Sequence, residues 1–224
     1  QCRPLQVKGL KTRVEMPKVD NTDKLFFESQ ANFMGGNIQQ PVHRVIYIKP
    51  DAYSRLTDPD KYEVARTVGR LNRLTKRETT SVLLLGPGRW GTSTPSLGVP
   101  VSFFEINNFT ILGELAYTKA GYAPEVSYGT HFFQDLVESE IFYVALFPEK
   151  EGVIFQDSIL NGYENILPDL LPEKSKFQDV IKVYDFSHDP DTDLQLAADT
   201  MLQEVRCCFM GSQKSESEPA LMLL

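Results

Sequence analysis

Val82-Leu83-Leu84-Leu85-Gly86-Pro87-Gly88-Arg89-Trp90-Gly91-Thr92-Ser93, residues 82–93, sets the reading of the whole chain. Its first four residues are an unbroken apolar run, the pattern of a strand covered on both faces. Such strands lie in the middle of layered domains, with another layer against each side. Three glycines follow at once, with an arginine and the single tryptophan of the chain between the last two of them. The strand therefore ends in a tight turn whose backbone can approach a ligand or another chain closely.

Working outward, Asp58-Pro59 opens a helix that runs to about Lys76, with Asp58 as the N-cap and Pro59 at the first helical position. Val64, Ala65, Val68, Leu71 and Leu74 form its apolar stripe. Leu25 to Phe27 and Val42 to Ile48 are β-rich, and Met34-Gly35-Gly36-Asn37 between them is a turn signal. Downstream, strands are expected near 101–106 and 109–117. A helix from Thr130 to Glu138 follows, capped by Thr130, with Phe133, Leu136 and Val137 inward. Ile141 to Phe147 reads as a strand with Val153 to Gln156 as its hairpin partner, and Val180 to Phe186 as another. The spacing of Leu194, Ala198, Met201, Leu202 and Val205 predicts a last helix over 192–208, with Cys207 and Cys208 at its end. The sum is an α+β fold, a single mixed-sheet domain with flanking helices over 25–210, with a three-layer α/β arrangement as the alternative. Residues 11–24 read as a linker and the Ser/Glu-rich segment 211–224 as a tail.

Composition narrows the function classes. The net charge of -7 argues against a nucleic-acid partner, whose affinity rests largely on a basic face. The cluster Arg66, Arg70, Arg73, Lys76 and Arg77 reads as the solvated face of a helix. No apolar run approaches the ~20 residues of a membrane span, so no membrane partner is expected. Gln1-Cys2-Arg3-Pro4 has no apolar signal-peptide core and no initiator methionine, so the chain reads as a piece of something longer. Three cysteines without a disulfide framework fit a reducing, cytoplasmic setting.

The turn itself satisfies G-x-G-x-x-G at Gly86, Gly88 and Gly91. A dinucleotide site needs a helix directly after it, and Pro95, Gly98 and Pro100 leave no room for one. No Gly-Lys-Ser/Thr follows, so a Walker loop fails as well. What remains is the planar fork of Arg89, suited to a carboxylate or phosphate, with the hydroxyls of Thr92 and Ser93 beside it. In the opposing reading, Trp90 packs into the core and Arg89 meets a buried acid such as Glu105 or Glu114. Thr130 and His131, at a helix start, could join Arg89 in holding an anion. Equally, His131 could pack on Phe132 or bond to backbone. The acidic run Asp185 to Asp193 lacks the glycine and glutamate of a calcium loop and reads as an N-cap cluster for the last helix. No zinc spacing and no nucleophile elbow is present, so no metal ligand and no catalytic residue is assigned.

Leu84-Leu85-Gly86-Pro87-Gly88-Arg89-Trp90-Gly91, continuing through Leu97-Gly98-Val99-Pro100-Val101, resembles the G-P-G-R-W-G…L-G-[IV]-P-V segment of bacterial phosphoenolpyruvate synthase-like proteins. Gly129-Thr130-His131-Phe132-Phe133-Gln134-Asp135-Leu136 is similar to that family's G-[ST]-H-F-F-x-x-L stretch, and Val68-Gly69-Arg70-Leu71-Asn72 fits just upstream. The resemblance covers about residues 60 to 147. Thr94 stands where the family pattern commonly has an acid. Gln1-Cys2-Arg3-Pro4 resembles the Q-x-R-P strand that closes the ATP-grasp domain of pyruvate phosphate dikinase and phosphoenolpyruvate synthase. The resemblance implies that residues 1–10 are the terminal strand of a missing ATP-grasp domain. Gln1 would there assist nucleotide and metal, and Arg3 would contact phosphates. ATP and Mg would belong to that parent protein, and this fragment would hold no cofactor. None of His43, His131 and His188 has phosphohistidine-motif surroundings, and the βα pattern of a phosphoenolpyruvate/pyruvate barrel is missing. The resemblance thus implies an accessory domain, inactive alone, that binds a small anion such as phosphate, phosphoenolpyruvate or a nucleotide. The alternative is an interaction module that forms a homodimer or docks on its own ATP-grasp domain.

Overall fold

The structure is a computed structural model that describes residues 14–18, 24–117, 126–127, 129–187 and 192–210. The strand expected in residues 1–10, with Gln1 and Arg3, lies outside the described residues, as do His188 and the tail 211–224.

β1 (Leu25–Gln30), β2 (Phe33–Met34) and β3 (Ile38–Pro41) lead into β4 (Arg44–Ile48). Helices α1 (Pro50–Ser54) and α2 (Asp58–Leu74) carry the chain to β5 (Val82–Pro87), and the turn beyond forms β6 (Arg89–Trp90), paired in parallel with β7 (Gly98–Val99). After β8 (Ile111–Leu115), α3 (His131–Glu138) and β9 (Phe142–Leu146) come β10 (Ile154–Phe155), α4 (Leu167–Leu170), β11 (Ile181–Asp185), β12 (Asp193–Asp199) and β13 (Glu204–Met210).

A six-stranded mixed sheet in the order β11-β4-β5-β8-β9-β2 forms the middle of the fold. β4, β5, β8 and β9 run parallel, with β11 and β2 antiparallel at the edges. The four parallel strands follow one another without a reversal of order, so right-handed crossovers put α2 and α3 on the same face. There Val64, Val68 and Leu71 of α2, together with Phe133 and Leu136 of α3, pack on Ile46, Val82, Leu84, Leu112 and Tyr143. The alternate residues Val45, Leu83, Leu85, Ile111 and Val144 face a second, wholly antiparallel sheet, β10-β1-β13-β12-β3, and meet its Phe27, Leu196 and Val205. Burial of both faces explains why β5 carries no alternation. The fold is α+β: helices, mixed sheet and antiparallel sheet in three layers.

Several local expectations are corrected. Residues 192–208 form no helix; they are the hairpin β12–β13, and Cys207 and Cys208 are buried in its second strand. The true period is two, with Leu194, Leu196 and Ala198 facing the core. The hairpin turn holds neither Gly nor Pro. Instead the Asp199 carboxylate accepts the Met201 and Leu202 amides, and Gln203 adopts φ +54. With no helix there, the acidic run 185–193 cannot be its cap, and residues 188–191 of it lie outside the described residues. Residues 153–156 pair with β1 and not with β9, because both edges of β9 are already taken by β8 and β2. The strand expected at 101–106 is a 3-10 turn over 103–105, closed by a capping box in which Glu105 accepts the Ser102 amide.

The cap of α2 is Thr57, one residue before the expected Asp58. Leu74 and Val137 are exposed at the helix ends. The basic stretch is a solvated face, with Arg66, Arg73 and Lys76 exposed, and it also carries pairs. Arg66 pairs with Glu105 and Arg70 with Glu173, while Arg77 donates to the Asn107 and Ser139 carbonyls. No helix among the described residues is long and apolar enough to cross a membrane.

Candidate functional site

The expected site residues lie at the carboxyl end of β5, the edge of a parallel sheet where ligands commonly bind. Gly88 donates its amide to the Leu115 carbonyl at the end of β8 (2.8 Å), which folds the turn across the neighbouring strand. Arg89 and Trp90 then run back beside Gly98 and Val99. Trp90 is buried, and its indole N–H donates to the Gly113 carbonyl (2.9 Å). Its ring lies over Gly86, where a Cβ would come within 2.6 Å of it. Gly91 has φ +72 and lies under the ring of Phe132, 2.4 Å from where its Cβ would be. A Cβ on Gly88 (φ +62) would come within 2.2 Å of the Leu97 carbonyl oxygen, so all three of the turn's glycines serve close internal packing.

That Gly91–Phe132 contact also brings the turn to the start of α3. Thr130 caps the helix by accepting the Phe133 amide (3.2 Å), and its hydroxyl donates to the Ser127 carbonyl (2.7 Å). His131 is the first helical residue and is exposed, with Nδ1 3.4 Å from Gln134 Oε1. The turn and the start of α3 thus meet at one edge, and the hydroxyls there differ in what they do. Thr92 is buried and bonds with the amide and carbonyl of Thr94. Ser93 is exposed and accepts the Tyr62 hydroxyl at its carbonyl. Trp90 packs inward as one reading required, and both acids named beside Arg89 have donors of their own. Glu105 is engaged by Arg66 and Ser102, and Glu114 by Trp90, Ser127 and Tyr143.

Glu114 is the residue that sequence reasoning underrated. It is fully buried on β8, facing the helix layer, and bridges three segments. Oε1 accepts the Trp90 amide (3.0 Å) and the Ser127 hydroxyl (2.5 Å), while Oε2 accepts the Ser127 amide (2.7 Å) and the Tyr143 hydroxyl (2.6 Å). Burial pushes its carboxyl above the usual range, against the pull of the donors from Ser127, Tyr143 and Trp90. The one signal in the sequence was an acid inside the apolar run Ile111-Leu112-Gly113-Glu114-Leu115.

A second polar group lies between the sheets near the same edge. The Tyr47 hydroxyl donates to Asp157 (3.1 Å), and burial with the Asp157 charge pushes Tyr47 well up. Tyr117 is pushed up to about 12 by burial and by Asp157. Both phenols therefore stay protonated at neutral pH.

No family model, curated protein or solved structure matches this chain.

Proposed function

We propose that this chain is an accessory domain of a phosphoenolpyruvate synthase-like phosphotransferase, and that it holds a small anion between the Arg89 turn and the start of α3. The observation that supports the reading is the pair of contacts, Phe132 over Gly91 and Ser127 Oγ to the Trp90 carbonyl (3.2 Å), that join the turn to the segment leading into α3. Gly86, Gly88, Gly91 and Thr92 act as scaffold, with Arg89, Ser93, Thr130 and His131 at the rim. Arg89 supplies the fork and α3 the amide end, a combination that suits phosphate, phosphoenolpyruvate or a nucleotide. No phosphoryl transfer is assigned to this chain. ATP, Mg and the chemistry would sit in the ATP-grasp domain of the parent protein, to which Gln1 and Arg3 would belong.

Isothermal titration with phosphate, phosphoenolpyruvate and ADP tests this. We expect weak binding of at least one ligand, reduced tenfold or more in Arg89→Ala, as loss of a charged hydrogen bond of about 1.5–3 kcal/mol implies. Absence of heat with all three removes the site.

A second reading is favoured by one observation. Phe104, Tyr62 and Leu97 are 81%, 44% and 39% exposed, and Tyr62 donates to Ser93 of the turn itself. An aromatic surface of that kind fits docking on another domain or on a second copy. Sedimentation separates the readings: a concentration-dependent dimer that Phe104→Ser dissociates favours docking, and a strict monomer that binds phosphate favours the pocket.

A further inference from the structure

We propose that Glu114 and Ser127 form a proton-operated latch on the Arg89–Trp90 turn, in which the Ser127 hydroxyl swings between the Glu114 carboxylate and the Trp90 carbonyl. The geometry for both positions is already present. Ser127 Oγ stands 2.5 Å from Glu114 Oε1 and 3.2 Å from the Trp90 carbonyl. When Glu114 is ionised it is acceptor-only, and four donors converge on it: two backbone amides and two hydroxyls. When a solvent proton adds to Oε1, that oxygen becomes a donor to Ser127 Oγ. The serine hydroxyl hydrogen then turns to the Trp90 carbonyl, so no donor is orphaned and no other group moves.

A buried acid without such a relay would strand a donor in one of its two states, at a cost that fixes the other. Here both states are hydrogen-bonded, and what changes is the tie on the turn. With the proton absent, Ser127 holds the carboxylate; with it present, Ser127 holds the backbone of Trp90, next to Arg89. Burial of the carboxyl favours the protonated state and the convergent donors favour the ionised one.

Among the described residues, the groups around the latch come from four elements. β5 and β9 flank Glu114 in register with Gly86 and Ala145, and β9 adds Tyr143 as the titratable side chain bonded to it. The turn contributes Arg89 beside Trp90. α3 contributes Phe133, whose ring meets Tyr143 at 5.2 Å, and also carries exposed His131, Asp135 and Glu138.

Trp90 is the single tryptophan, so its emission reads the latch without a label. We expect one reversible step in Trp90 emission, at a pH above the ordinary glutamate value of about 4.3. A protonated-carboxyl carbonyl band in difference infrared spectra should disappear across the same step. Both signals should vanish in Glu114→Gln and persist in His131→Gln. Ser127→Ala takes away both the donor to the ionised form and the acceptor of the protonated one, so it should abolish the step in Trp90 emission while the infrared band still titrates. That variant also serves if Glu114→Gln does not fold. Titration at or below the ordinary value overturns the latch. So does an emission step that survives in Glu114→Gln, that is lost in His131→Gln, or that Ser127→Ala leaves in place.

Discussion

Trp90→Ala is expected to lower the free energy of unfolding by about 3–5 kcal/mol, the usual loss when a buried aromatic is truncated without repacking. Domains of this size commonly have only about 5–15 kcal/mol in total, so the variant should sit near the limit of folding. The ring cannot be replaced by relaxation of its neighbours. It fills space over Gly86, a position with no side chain to expand, and it lies in the cluster that joins Val99, Ile106 and Leu112 to α2. Trp90→Phe keeps much of that volume but loses the indole bond to the Gly113 carbonyl, so its loss should be about 1–2 kcal/mol. Urea unfolding followed by far-ultraviolet circular dichroism measures both variants. A Trp90→Ala loss below about 1 kcal/mol would mean that the turn is peripheral to the core.

The same matching of residues explains how much was legible in sequence. β5, α2 and α3 were readable because each carries a local signal: an unbroken apolar run, a proline-led start, a threonine cap. The turn was legible as a turn. The antiparallel sheet was less so. β12 and β13 place apolar residues at spacings that fit both periods over a few residues, and the turn between them is closed by Asp199 and Gln203 where glycine would usually mark it. Once that hairpin was read as a helix, β10 had no visible partner but β9. Glu114 was harder still. Its role depends on Ser127 and Tyr143, which lie 13 and 29 residues away and meet it only through the parallel pairing of β8 with β9 and the return of the chain before α3. No local pattern encodes such a meeting.

Glu114→Ala is expected to cost about 3 kcal/mol or more at mildly acidic pH, with a deficit that depends on pH in a direction fixed by the burial of the carboxyl. Removing the side chain leaves the Trp90 and Ser127 amides and the Tyr143 hydroxyl without the acceptor they share, at about 1–3 kcal/mol for each buried donor that water does not reach. The Ser127 hydroxyl escapes this penalty, because the Trp90 carbonyl can take it. For the wild-type protein, the carboxyl holds its proton more tightly when folded than when unfolded. The stability that this adds is fully present below the unfolded carboxyl value of about 4.3 and is lost as pH rises through the raised folded value. Alanine has no proton to lose. The gap between the two proteins should therefore narrow as pH rises through that interval, and Glu114→Gln, which stays neutral, should become relatively more stable over the same range. Urea midpoints for all three proteins between mildly acidic and mildly alkaline pH measure the trend. A gap that widens with pH would mean that the four donors outweigh burial, and that Glu114 is held ionised as a fixed anchor.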